Sequence, residues 1–337
     1  MPRSQLTIDL NAFRANVARL LGAAGGAELW AVVKADAYGH GARDCGPAAL
    51  AAGATALCVA TVEEALALRI RLPDARLIVL GPAGDVAGAR DAGLELVVGA
   101  GPIPDGVRVH VKLDTGMGRW GLSELPAPSR AIVGAMTHLA TADSDPAFAR
   151  RQIERFRDAT GGLAGVTRHV ANSAATLRLP EARFDAVRCG IALYGISPFG
   201  EDPAADGLRP VLSWRSEVAL VRPLRAGEST GYGRRFVAER DTWIGIVPVG
   251  YADGFRRDLT GTEVLVDGAR RRVVGAISMD ALAVELDGAV EHGAPVTLVG
   301  DGVLFEDHAR IAGTIAYELA CGVNRSATRA ERAIIGA

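Results

Sequence analysis

Residues 29–41 of this chain read LWAVVKADAYGHG. The stretch starts as an apolar run, which is typical of a strand buried on both faces, and reaches Lys34 just before a Gly-His-Gly turn. Burying an ammonium group costs free energy unless the group is paired or has a chemical role. Lys34 is therefore a candidate functional residue, and the strands that follow it decide which fold surrounds it.

Seven further apolar runs follow before about residue 195, and most are continuous rather than alternating. Helical patterns such as TVEEALALRIRL and DPAFARRQIERFRDAT separate several of them. Parallel strands alternating with helices predict a (β/α)8 barrel of the TIM type. The predicted strands are 29–35, 56–60, 76–80, 94–98, 107–113, 131–138, 167–171 and 185–189.

Two connections of this barrel are expected to be shortened. Residues 99–106 (GAGPIPDG) and 123–130 (SELPAPSR) are too short and too rich in proline and glycine for full helices. After about residue 207 the pattern changes to short β-like runs with Asp-Gly turn signals, which predicts a mostly β domain. We expect a barrel domain over 8–207 and a β domain over 208–337, with an amphipathic helical pattern in residues 1–20.

Composition narrows the class of protein. The chain has 337 residues and a net charge of −2, so it has no general attraction to nucleic acid or to anionic membranes. It shows no signal-peptide core and no apolar stretch of about 18 residues. We therefore expect a cytoplasmic protein with no membrane or nucleic-acid partner. Four widely spaced cysteines lack metal-ligand spacing, and we expect buried thiols and no metal site: Cys45, Cys58, Cys189 and Cys321.

Polar residues cluster at the ends of the predicted strands, where barrel enzymes carry their active sites. The hydroxyl of Ser173 and the backbone N–H groups of Gly190 and Ile191 are suited to binding a phosphate. Together with Lys34, they suggest a Schiff-base enzyme that uses pyridoxal phosphate (PLP) as one possibility. A lysine aldolase without a cofactor uses the same parts. The residues at these strand ends are Lys34, Tyr38, Lys112, Arg119, His138, His169, Asn172, Ser173, Arg188, Gly190 and Ile191.

Nine separated motifs, in the same order along the chain, resemble those of alanine racemase, the fold-type III PLP enzyme of bacteria. The resemblance covers nearly the whole chain. The motifs are VVKADAYGHG, KLDTGMGRWG, THLATAD, ANSAA, RCGIALYG, GYG at 231–233, PVGYADG, ISMDA and TIAYE.

This resemblance implies racemisation of L-alanine and D-alanine by two bases. Lys34 would bind PLP as a Schiff base and act on one face of the substrate. Tyr232, supplied by the partner subunit of a head-to-tail homodimer, would act on the other face. Arg188 would face the pyridine nitrogen of PLP, and His138 would link Tyr232 to Arg188 by hydrogen bonds.

The resemblance also implies how cofactor and substrate are held. Arg119 would support PLP and the substrate carboxylate, and a carbamylated Lys112 would orient Arg119. Met279 and Asp280 of the partner would close the substrate pocket. The phosphate would be held by five residues: Tyr38, Ser173, Gly190, Ile191 and Tyr317. The implied pathway is the supply of D-alanine for peptidoglycan.

Simpler interpretations stand beside these roles. By pattern alone Lys34 fits a rim lysine that snorkels to water, and His138 and His169 are as readily core histidines. His169 is expected behind the site. Trp120 stands where the family commonly has a smaller aliphatic residue, which affects packing behind Arg119.

Other functions share part of the pattern. A racemase of serine or another small amino acid would look almost the same. A PLP-carrying homeostasis protein resembles the barrel alone and lacks the second domain, and a fold-type III decarboxylase carries a Cys-Asp pair that is not found here.

Overall fold

The computed structural model describes residues 3–337, so Met1 and Pro2 lie outside the described residues. The chain forms two compact units. One comprises Ala12–Phe199 and Pro203–Arg209, and the other comprises residues 3–11 together with Gly200–Asp202 and Pro210–Ala337. Over residues 3–337, no helix has both the length and the apolar character that a membrane crossing requires.

The helix expected at the start of the chain begins later than its periodicity indicates. Strand β1 (Gln5–Asp9) comes first, and helix α1 (Leu10–Ala24) follows. Leu6 and Ile8 are buried and alternate with less buried neighbours, as in a strand covered on one face. The partners of β1 lie more than 200 residues away, so the pairing that selects a strand is not visible locally.

The unit that contains Lys34 is a closed barrel of eight parallel strands, which confirms the predicted fold. Each strand pairs with the next, and the last pairs with the first. Most of the strand residues are buried, because helices cover the outside and side chains fill the inside. The strands are β2 (Glu28–Val32), β3 (Ala56–Val59), β4 (Leu77–Val79), β5 (Glu95–Val98), β6 (Arg108–Lys112), β7 (Ile132–Met136), β8 (Thr167–His169) and β9 (Ala186–Cys189).

Helical connections cover the barrel except at the two expected places. Residues 99–107 and 113–131 contain no helix, which confirms the two shortened connections. The helical segments are α2 (Lys34–Tyr38), α3 (Ala42–Ala51), α4 (Val62–Arg69), α5 (Val86–Asp91), α6 (Pro146–Thr160) and α7 (Ser173–Arg178). Side chains cap the N-termini of four of the helices, α4 to α7; the Asp145 carboxylate, for example, accepts a bond of 3.0 Å from the N–H of Phe148.

The second unit is mostly β, as predicted. A nine-stranded sheet has the order β11-β14-β17-β16-β15-β18-β10-β1-β19 and is antiparallel except where β1 meets β19, and β12 pairs with β13. The strands are β10 (Leu212–Glu217), β11 (Leu220–Leu224), β12 (Ser229–Thr230), β13 (Phe236–Val237), β14 (Thr242–Val247), β15 (Glu263–Val266), β16 (Ala269–Val274), β17 (Leu282–Leu286), β18 (Pro295–Val299) and β19 (Glu331–Ile335). The helices are α8 (Phe305–Ala312) and α9 (Ala316–Gly322).

One expectation about the cysteines is wrong. Cys45, Cys58 and Cys189 are buried in the barrel unit, but Cys321 is exposed. Cys321 lies near the end of α9, whose buried face is formed by residues such as Leu319 and Ala320. A short amphipathic helix leaves its other face in solvent, and Cys321 lies on that face.

Candidate active site

Four cationic side chains meet at the C-terminal ends of the barrel strands. Lys34 follows β2, Lys112 ends β6, Arg119 lies in the next loop and Arg188 lies on β9. His138, which follows β7, lies close enough to all four for their charges to affect its pKa. Burial lowers the pKa of His138, and the charges of these four groups lower it further, to about 3. The imidazole is therefore neutral near pH 7, and the positive charge around it favours an anionic ligand.

Lys34 and Lys112 are the only two lysines among the 37 lysine and arginine residues of the chain. Arginine stays protonated in proteins, whereas lysine can give up its proton and act as a nucleophile or base. Burial, followed by the charges of Arg119 and Arg188, lowers the pKa of Lys112 to about 8. Both lysines of the chain therefore lie at the strand ends, and every other basic side chain of the Lys/Arg type is arginine.

A left-handed turn after Lys34 places Tyr38. The residues Ala35, Asp36, Ala37 and Tyr38 all have φ between 50° and 57°, a conformation that costs about 1–2 kcal/mol per residue for L-amino acids. Glu64 on α4 holds the turn by accepting bonds of 2.7 Å from the N–H groups of Ala35 and Ala60. Backbone strain of this kind persists where the surrounding structure requires it, commonly at functional sites.

Tyr38 returns to the barrel above Gly190. A Cβ atom on Gly190 would lie 2.5 Å from the Tyr38 hydroxyl oxygen, so only glycine permits this approach. The Ser173 hydroxyl accepts bonds from the N–H groups of Gly190 (3.0 Å) and Ala192 (3.4 Å). The structure thus brings the expected residues Tyr38, Ser173 and Gly190 together, with Ile191 between the two bonded N–H groups. Convergent hydroxyl and backbone N–H donors suit a phosphate.

Arg188 lies at the floor of the site with 4% of its surface exposed. Its guanidinium donates to Nδ1 of His169 at 2.9 Å and to the carbonyl oxygens of Thr137, His169 and Val170 at 2.6 to 3.1 Å. Within residues 3–337, no hydrogen bond joins Arg188 to the expected partner His138. The imidazole in contact with Arg188 is that of His169, because β8 is the strand next to β9 in the barrel.

Four expected site residues lie in the second unit. Tyr232 has 73% of its surface exposed and stands between Gly231 and Gly233, both with positive φ. Met279 is also exposed, and Tyr317 is half-buried on α9. The Asp280 carboxylate accepts bonds from Arg3 at 3.3 Å and Arg329 at 2.9 Å. Exposed tyrosine and methionine side chains at these positions are available to a second molecule.

Sequence reasoning missed three residues that support the site: Glu64, Glu95 and His110. Two of them, Glu95 and His110, had a visible signal in the sequence. Glu95 and His110 are polar residues inside buried strands, and His110 stands two positions before Lys112, so both side chains point to the same face of β6. Nothing in the sequence around Glu64 indicates a role at the site, and only the folded structure shows that its carboxylate holds the turn after Lys34.

Comparison with known protein families matches both units. Residues 8–198 match the family model "Alanine racemase, N-terminal domain", and residues 211–331 match "Alanine racemase, C-terminal domain". The chain is 42% identical to alanine racemase from Streptomyces coelicolor, over 99% of this chain and 96% of the relative. It is 39% identical to alanine racemase 1 from Bacillus subtilis, over 96% of this chain and 91% of the relative.

Solved structures give the same result. The alanine racemase of the D-cycloserine producer Streptomyces lavendulae is similar, with a TM-score of 0.92 and 36% identity, over 100% of this chain and 98% of that chain. The biosynthetic alanine racemase of Pseudomonas aeruginosa has a TM-score of 0.91 and 36% identity, over 99% of each chain.

Proposed function

The chain belongs to the alanine racemase family of amino-acid racemases, and from that premise we propose that it interconverts L-alanine and D-alanine with PLP as its cofactor. The observation that carries the proposal is the shared strand-end location of a half-buried lysine, a buried arginine and a phosphate-type cradle. Few other ligands need an amine nucleophile, a cation at the floor and a cluster of hydroxyl and N–H donors together.

The residues of the barrel fit PLP. Lys34 would hold the cofactor covalently, and Arg188 would meet its ring nitrogen. The donors at Tyr38, Ser173 and Gly190 would hold its phosphate, with Ile191 and Tyr317 beside them. The approach of Tyr38 over Gly190, which a Cβ atom would block, supports this assignment. When bound, PLP delocalises the negative charge left on the substrate α-carbon after proton removal.

Racemisation then requires two groups that exchange a proton on opposite faces of the substrate. We assign one face to Nζ of Lys34 and the other to the hydroxyl of Tyr232 from the partner subunit of a homodimer. A tyrosine hydroxyl acts as a base near neutral pH only with positive charge close by, and the four strand-end cations supply it. We assign the neutral imidazole of His138 a hydrogen bond to that tyrosine only, because the imidazole bonded to Arg188 is that of His169.

Arg119 would bind the substrate carboxylate, and we propose that a carbamate on Lys112 orients it. A carbamate forms only on a neutral amine. Because the pKa of Lys112 is about 8, roughly one-tenth of the amine is neutral at pH 7 and most is neutral at pH 9.

Incubation with ¹³C-bicarbonate should therefore give a ¹³C carbamate signal that grows as the pH rises through 8 and is absent in Lys112→Arg. The Lys34→Arg variant, which keeps the other lysine, is the control. A signal that is lost with Lys34 instead of Lys112 would contradict the proposal.

The proposal is tested by chiral analysis of L-alanine, L-serine and L-lysine after incubation with the purified protein and PLP. We expect D-alanine to form fastest, because Met279 and Asp280 of the partner would leave room for a small side chain. Faster formation of D-serine would identify a racemase of another small amino acid. Absence of racemisation in protein that binds PLP would favour a carrier.

We further propose that the D-alanine supplies cytoplasmic peptidoglycan precursors. Expression of the chain should restore growth of a bacterium that lacks its own alanine racemase and depends on added D-alanine. Continued dependence on D-alanine, with active protein present, would rule out this role.

A further inference from the structure

A chain of buried hydrogen bonds runs through the barrel interior from Arg188 to Glu95. Arg188 contacts Nδ1 of His169 at 2.9 Å, and Nε2 of His169 contacts Nδ1 of His110 at 2.9 Å. Nε2 of His110 contacts a carboxylate oxygen of Glu95 at 2.7 Å. The two imidazoles are fully buried, and Glu95 has 1% of its surface exposed. Every member is therefore shielded from water.

The chemistry of the two ends sets the direction of every bond. A guanidinium has only donors, so Nδ1 of His169 must accept and its proton must lie on Nε2. His169 then donates to Nδ1 of His110, which places the proton of His110 on Nε2. His110 finally donates to Glu95, whose ionised carboxylate only accepts. All three bonds point from Arg188 toward Glu95, and no other tautomer satisfies them.

The charges agree with this direction. Burial lowers the pKa of His110 and lowers that of His169 further below its usual value, so both imidazoles are neutral. Burial by itself would raise the pKa of Glu95, but the bond from His110 and the charges of Arg76 and Arg108 outweigh it and hold the carboxyl ionised. The chain of hydrogen bonds therefore has a full negative charge at the Glu95 end and a full positive charge at the Arg188 end.

The barrel interior has an opening that accommodates this chain of hydrogen bonds. His110 lies on β6 and His169 on β8, so the His110 ring must cross the strand between them. That strand has Gly134 opposite His110, where a Cβ atom would lie 1.8 Å from Nδ1 of His110. The pairing of the two strands is also irregular between Val109 and His110, and such irregularities redirect side chains. A core filled only for packing would not need this opening.

Arg188 has a particular need for such a partner. Burial lowers its pKa to about 10, and no carboxylate of residues 3–337 touches it. Its other bonds go to carbonyl oxygens, which carry no net charge. The nearest negative charge that hydrogen bonds connect to Arg188 is the carboxylate of Glu95, and two imidazoles lie between them. Hydrogen bonds in a chain polarise one another, so a charge at one end strengthens the bond at the other.

We propose that Glu95, His110 and His169 are positioning residues for Arg188. Their hydrogen bonds all point in one direction and form a relay that fixes the orientation of the guanidinium and stabilises its protonated form. The inference rests on the proposed function, in which Arg188 faces the ring nitrogen of PLP. Because its N–H protons are directed toward His169, Arg188 protonates that nitrogen less readily. Glu95 thereby tunes the cofactor from the opposite end of the relay.

The test compares Glu95→Gln, which removes the charge and keeps the size, with Arg108→Gln. Arg108 pairs with Glu95 at 2.9 Å from the solvent side, and its loss leaves His110 and Arg76 to keep the carboxylate ionised, so this variant controls for the removal of a nearby charge. We expect Glu95→Gln to lower kcat by about tenfold with KM unchanged, a loss typical of outer partners that orient a site. We also expect it to shift the absorption of bound PLP, whereas Arg108→Gln changes neither.

A second measurement uses the wild-type protein without cofactor. ¹⁵N NMR of the histidine rings should show His110 and His169 protonated on Nε2 only and neutral at pH 7. A proton on Nδ1 of either ring would overturn the relay, even if Glu95→Gln fails to fold. Identical kcat and absorption in Glu95→Gln and Arg108→Gln would also overturn it. Wild-type protein that fails to racemise alanine while showing the expected tautomers would instead refute the proposed function.

Discussion

Replacing Lys34 with alanine is expected to lower kcat/KM for alanine racemisation by about ten-thousandfold or more, because one residue supplies both the covalent hold on PLP and a proton-transfer group. Lys34→Arg should be equally inactive although it keeps the positive charge, since a guanidinium neither bonds to the cofactor nor becomes neutral. The pair of variants separates the chemistry of Lys34 from its charge. The measurement is the rate of D-alanine formation from L-alanine with saturating PLP.

The near absence of lysine makes this prediction unusually direct. Borohydride reduction of the PLP-loaded protein should leave the cofactor covalently attached to one lysine, and only Lys34 and Lys112 can receive it. Peptide mapping should find it on Lys34 and never on Lys112. Attachment to Lys112, or activity of Lys34→Arg within tenfold of wild type, would refute the assignment.

Mixing two inactive variants is expected to restore activity. Tyr232→Phe removes one proton-transfer group and should lower kcat by about 10²- to 10⁴-fold. If each site combines Lys34 of one subunit with Tyr232 of the other, a heterodimer of Lys34→Ala and Tyr232→Phe subunits has one doubly altered site and one intact site. Random reassortment of an equal mixture makes half of the dimers mixed, so activity should recover to about a quarter of wild type.

The outcome distinguishes the two possible arrangements. If Lys34 and Tyr232 of the same subunit act together, neither subunit of the mixed dimer has an intact pair, and no activity returns. Mixing Lys34→Ala with Lys34→Arg is the matched control, since no arrangement of those subunits restores a lysine. The exposed side chain of Tyr232 permits its use by a second molecule. A fully active monomer would contradict the homodimer altogether.

The sequence was sufficient for the barrel because its signals are local. Continuous apolar runs mark strands that are covered on both faces, and the strand ends mark the functional edge. Lys34 and Arg188 could be placed at that edge from spacing alone. Strand β1 could not be predicted, since its pairing with β10 and β19 joins distant parts of the chain. Its five residues satisfy a helical period as readily as an alternating one.

The candidate site likewise combines features that the sequence predicted with features that only the folded structure shows. The motifs predict Ser173 and Gly190 as phosphate donors, and the structure places the Ser173 hydroxyl oxygen 3.0 Å from the backbone nitrogen of Gly190. No motif indicates that Ala35–Tyr38 adopt a left-handed turn, because none of these residues is a glycine. The conformation depends on Glu64, which holds the turn from another helix. The hydrogen-bond partner of Arg188 was likewise expected to be His138, whereas the described structure places His169 there.

By itself, the sequence determined the family, the (β/α)8 barrel, the mostly β second unit and the identity of the strand-end residues, because patterns of apolar residues and short motifs are carried within single segments. Only the tertiary structure decided which buried polar groups meet. Glu95, His110, His169 and Arg188 come from four strands, and their tautomers follow from bonds that exist only when the barrel closes. Hydrogen-bond direction depends on the partner at each end, so it belongs to the folded arrangement and to no segment alone.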